Sequence, residues 1–74
     1  MNRMELKSIL EKEGVAKNLY SLYGGLPSES YCLDKQNNKW EVYYSERGSK
    51  TDLEIFDTED VACQYFLNKI KEIL

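Results

Sequence analysis

The sequence predicts an α+β fold, a three-stranded antiparallel meander flanked by N- and C-terminal helices in the order α-β-β-β-α, with both helices on one face. Three observations predict it. Apolar residues recur at helical spacing near both ends of the chain. Between Tyr31 and Phe56 the period changes to two. Two turn signals, read independently, then bring the same set of apolar side chains onto one surface. With 74 residues the chain forms a single domain, residues 1–74, and a domain of that size buries only about 60% of its unfolded surface.

The first helix is expected from Arg3 to Glu13. Asn2 followed by Glu5 fits a capping pair, and Leu6, Ile9 and Leu10 share one face. Gly14 suits the left-handed residue that ends a helix. The apolar stripe is narrow, so this helix needs a larger body to lean on.

Val15 to Ser30 fits neither period. Gly24, Gly25 and Pro27 impose a turn, and the segment reads as an ordered connection with a short edge strand around Leu19–Leu22.

Tyr31–Lys35, Trp40–Ser45 and Asp52–Phe56 read as strands. A two-residue turn at Asn37-Asn38 sets Leu33 opposite Val42 and Tyr31 opposite Tyr44. A second at Gly48-Ser49 sets Val42 opposite Ile55 and Tyr44 opposite Leu53. Both turns put Tyr31, Leu33, Trp40, Val42, Tyr44, Leu53 and Ile55 on one face. The other face then carries Cys32, Asp34, Glu41, Tyr43, Ser45, Glu54 and Phe56, with Asp34 across from Glu41 and Tyr43 across from Glu54.

The last helix starts at Asp57 or Thr58, with Glu59 and Asp60 in the first turn, where carboxylates favour the helix dipole. Val61, Ala62, Tyr65, Phe66, Ile70, Ile73 and Leu74 form a broad stripe, which makes this helix the main partner of the sheet. Cys63, within VACQYFL, reads as a small buried hydrophobe.

Charge and composition narrow the function. Thirteen acidic residues against ten basic ones give a net charge of −3, which disfavours nucleic acid and favours a basic protein partner. There is no histidine, hence no ordinary base near neutral pH and no Ser-His or Cys-His pair. Asp34 and Glu41 are the one carboxylate pair available for acid–base work, but a flat sheet gives them no cleft. The reading is therefore not an enzyme, with no cofactor and no metal. Cys32 and Cys63 are too few and too far apart for a structural zinc. The N-terminal stretch has no continuous hydrophobic run, so neither a signal peptide nor a membrane span is expected. A reducing cytoplasm fits two lone thiols. Like charges opposed on a sheet cost stability, and acids around aromatics are also what a surface for a basic partner needs. An ordinary solvated face is the plainer alternative.

Three segments carry a family likeness. YSLYGGLPSESYCL, WEVYYSERG and FDTEDVACQYFLNKI resemble small immunity proteins of bacterial polymorphic toxin systems, and the similarity spans about Tyr20 to Ile70. Its most specific part is the strand and turn from Trp40 to Gly48. The resemblance implies a cytoplasmic, stoichiometric inhibitor that binds a cognate toxin domain and blocks its active site or its substrate's access. Trp40, Tyr43, Tyr44, Glu46, Arg47 and Gly48 match the motif, with Tyr20 and Gly24. Trp40 and Tyr44 are assigned to the core, so Tyr43, Glu46 and Arg47 join Asp34, Glu41 and Glu54 as expected toxin-binding residues. The partner is then a protein, the chain itself a monomer or homodimer. The alternative is a small cytosolic interaction module or homodimeric adaptor that uses the same face or an edge strand.

Overall fold

The computed structural model describes all 74 residues. The chain runs through α1 (Arg3–Lys12), a 3₁₀ turn (Lys17–Leu19), β1 (Tyr20–Ser21), β2 (Ser30–Gln36), β3 (Lys39–Glu46), β4 (Ser49–Phe56) and α2 (Glu59–Ile73). The α+β class holds, but the sheet has four strands and is mixed, in the order β1-β2-β3-β4. Beyond the expected meander, β1 pairs in parallel with β2 through Tyr20–Tyr31 and Ser21–Cys32.

Local chemistry explains the ends of the helices. The Asn2 side chain accepts from the Glu5 amide while the Glu5 carboxylate accepts from the Asn2 amide, both at 2.9 Å, so two orphan donors are satisfied reciprocally. At the start of α2 the Thr58 hydroxyl accepts from the Val61 amide. The two helix starts are tied together by the Arg3 amide, which donates to Glu59 at 2.8 Å.

The first hairpin follows the expected register, with Leu33 opposite Val42, Tyr31 opposite Tyr44 and Asp34 opposite Glu41. Asn37 and Asn38 both have positive φ, which is the type I′ geometry that matches strand twist. The second hairpin departs from expectation. Its turn is Arg47-Gly48, again with both φ positive, not Gly48-Ser49. A bulge follows between Tyr44–Thr51 and Val42–Glu54, with Asp52 at φ +54°. A register slip of two residues from the turn alone would have kept every side chain on its expected face. The extra residue at Asp52 reverses the faces of all that follow.

The core therefore differs in one strand. Leu6, Leu10, Val15, Leu22, Leu33, Trp40, Val42, Ala62, Cys63, Phe66, Leu67 and Ile70 form one buried cluster. Phe56, expected on the far face, turns toward α2, and its ring centroid lies 5.0 Å from that of Tyr65. Leu53 and Ile55, expected inside, are exposed. The buried stripe of α2 is also rotated from expectation. Leu67 is in it, together with Cys63, buried as expected, whereas Val61, Ile73 and Leu74 are exposed. Burying side chains such as Phe66 and Ile70 stabilises by about 1.5–3 kcal/mol each before entropy is counted.

Candidate interaction surface

The face of the sheet away from the helices is not bare. Because Leu33 and Val42 join the helix-side core, strand alternation sends Cys32, Asp34, Glu41 and Tyr43 the other way. The loop after β1 folds over them. The Gly24 amide donates to the Leu33 carbonyl, and Gly24 sits against the Asp34 carboxylate so closely that a Cβ there would lie 2.3 Å from its Cγ. The Tyr43 hydroxyl donates to the Gly25 carbonyl at 2.7 Å, and the Lys50 ammonium lies 4.6 Å from the Tyr43 ring centroid.

This cover settles the roles of several residues expected at the site. Tyr43 is 1% exposed, so it is a packing residue with a satisfied hydroxyl. Burial, followed by the nearby Cys32 and Asp34, pushes its hydroxyl well above the ordinary phenol range. Glu54 does not face Tyr43. It lies opposite Val42, on the other side of the sheet, and is exposed on the last strand. Asp34 is half-buried and accepts from the Lys35 amide at 2.8 Å and from Gln36 Nε2 at 2.9 Å. Glu41 is half-buried and pairs with Lys50 at 3.1 Å. Asp34 and Glu41 thus come together as expected, each already engaged by a neighbour. Glu46 and Arg47 stand apart at the hairpin end, where they line a shallow polar hollow with Ser49 and Thr51.

The residues that sequence reasoning missed lie on and beside β4. Leu53 is 43% exposed and Ile55 is 59% exposed, and Ile55 sits opposite Glu41 on the loop-covered side. Between β4 and α2 runs an open groove of about 390 Å³ lined by Phe56, Asp60, Val61, Gln64, Tyr65 and Asn68. The signal was present: Asp is depleted within strands and is one of the few side chains that tolerate positive φ, so TDLEIF carried a bulge marker at Asp52.

Ion pairing further sorts the carboxylates. Asp57 pairs with Lys39, Glu41 with Lys50, and Asp60 with the amino terminus, while Asp52 and Glu54 make no ion pair. The Lys39 hydrogen bond, with its charge, holds the Asp57 carboxyl below the usual carboxylate range. Both cysteines are buried and free. Burial pushes the Cys63 thiol from 9.0 up to about 11 and raises Cys32 as well. No helix is long and apolar enough to cross a membrane. No family model, curated protein or solved structure matches the chain.

Proposed function

We propose that this chain is an immunity-type protein, a stoichiometric inhibitor that neutralises a toxin domain by binding it. The observation that carries the reading is the pair Leu53 and Ile55. Two large aliphatic side chains are left in solvent on an edge strand, beside the unpaired carboxylates of Asp52 and Glu54. Apolar anchors framed by acids suit a protein partner with a basic surface, because the anchors supply affinity and the charges speed and orient encounter. The resemblance of WEVYYSERG to immunity proteins points the same way. Cytoplasmic binding of a toxin produced in the same cell fits two reduced, buried thiols.

The test is co-expression with the C-terminal toxin domain of a large protein encoded immediately upstream. Growth rescue and a co-purifying 1:1 complex are the expected results. Failure of both would remove the immunity reading.

The second reading, a homodimeric adaptor, is favoured by one feature, the unpaired outer edge of β4. Sedimentation of the protein alone separates the two. A concentration-dependent dimer is expected of the adaptor and a monomer of the inhibitor.

A further inference from the structure

The unpaired edge of β4 and the vacant flank of α2 meet at one place, and together they define a berth for a strand. In the sheet order β4 is terminal, so by ladder alternation about half of its amide and carbonyl groups point away from β3. Beside this edge, Val61, Gln64, Tyr65 and Asn68 are spaced i, i+3, i+4 and i+7 along α2, which is one helix face. That face lines the groove with Phe56, and Val61 there is 53% exposed. A strand added at the edge would have two walls. Side chains pointing toward the helices would meet Phe56, Val61 and Tyr65, and those pointing the other way would lie beside Leu53 and Ile55.

We propose that the segment Leu53–Phe56 takes an extended, lysine- or arginine-bearing segment of the protein partner as a fifth strand, with the basic side chains of that segment on the groove side beside Glu54 and its alternate apolar side chains beside Leu53 and Ile55. This rests on the toxin-binding reading for the identity of the partner. Charge selects the occupant. Asp52 and Glu54 lie on this strand without a cation, while the nearby lysines Lys39 and Lys50 are already engaged. A second copy of the chain would bring the same carboxylates against each other, adding to a repulsion that a net charge of −3 on each copy already sets. A basic segment would instead gain both the main-chain ladder and two unpaired acids. The bulge at Asp52 limits the berth to the four residues beyond it, because it breaks the regular edge.

Two experiments test the berth separately from the identity of the partner. In the first, the ¹⁵N-labelled protein is titrated with a short peptide of alternating lysine and valine, beside a glutamate–valine control. Shift changes and amide protection are expected at Leu53–Phe56, Val61 and Tyr65 with the basic peptide alone. Equal effects of the two peptides, or changes confined to other residues, overturn the proposal. In the second, Glu54→Lys and Val61→Lys are compared with Ser8→Lys and Glu13→Lys, exposed positions on and just beyond α1, for affinity toward the co-expressed toxin domain. The first pair is expected to weaken binding by at least about tenfold with folding intact, the second pair by less than about twofold. Rescue by the wild type with full affinity in Glu54→Lys and Val61→Lys overturns the berth and leaves the inhibitor reading standing. A peptide that docks at Leu53–Phe56, combined with no rescue by the wild type, supports the berth and removes the toxin as its occupant.

Discussion

The Asp34 carboxylate occupies the space into which a side chain on Gly24 would grow. Gly24 also has φ +71°, so it is constrained twice, by its own backbone and by the strand beneath it. Gly14, at φ +73°, is constrained once, because a methyl group there would meet nothing within 4 Å. Gly24→Ala is therefore expected to cost about 2–5 kcal/mol and Gly14→Ala about 1–2 kcal/mol. Urea denaturation of the two variants measures the difference; equal losses would mean that the loop does not press on the sheet.

Tyr43 tests the same cover from below. Tyr43→Phe leaves the Gly25 carbonyl without its donor and is expected to cost about 1 kcal/mol. Tyr43→Ala opens a cavity under the loop and is expected to cost about 3–5 kcal/mol. A Tyr43→Ala variant as stable as the wild type would place the ring in solvent.

The thiols give a pH dependence of known sign. The Cys63 thiol is raised from 9.0 to about 11 in the folded protein, by burial first and the Glu59 charge second, so folding favours its protonated form. Its contribution is whole below about pH 9 and is lost as the pH rises through about 11, with Cys32 acting in the same direction. The denaturation midpoint should hold steady from neutral pH to about 9 and then fall. Neither thiol should react with a disulfide reagent until the protein unfolds; fast reaction of either in the native state would contradict its burial.

The register of β4 can be read by substitution. Phe56 is half-buried against Tyr65, so Phe56→Ala is expected to cost about 2 kcal/mol, somewhat below the range for a fully buried ring. Ile55→Ser, on the exposed side, should change stability by no more than about 0.5 kcal/mol. The opposite ranking would restore the alternation expected without a bulge.

Much of this molecule was legible in its sequence, and the exceptions have physical causes. Asn2 and Glu5, Asn37-Asn38, and Thr58 fixed the start of α1, the first hairpin and the start of α2, because each acts through bonds to its immediate neighbours. The stripe of α2 was harder, since which flank packs depends on where the sheet lies; for that reason Val61 is exposed and Leu67 is buried, while Cys63 is buried as its apolar setting implied. In β4 one left-handed residue, Asp52, sent Leu53 and Ile55 outward and Phe56 inward. Of the expected contact residues, Tyr43 went to the interior because a loop without periodicity, Leu22 to Glu29, folds over that face. Nothing in the strand pattern alone announces a cover contributed by the loop before it.

The two-residue strand β1 has a consequence for assembly. A ladder can lengthen wherever an edge offers several consecutive free amides, and Tyr20–Ser21 is too short to template another chain. Growth is thus possible in one direction only. Copies that met through this one long edge would close as a pair, β4 against β4, and chains of such molecules have no means to propagate into fibres.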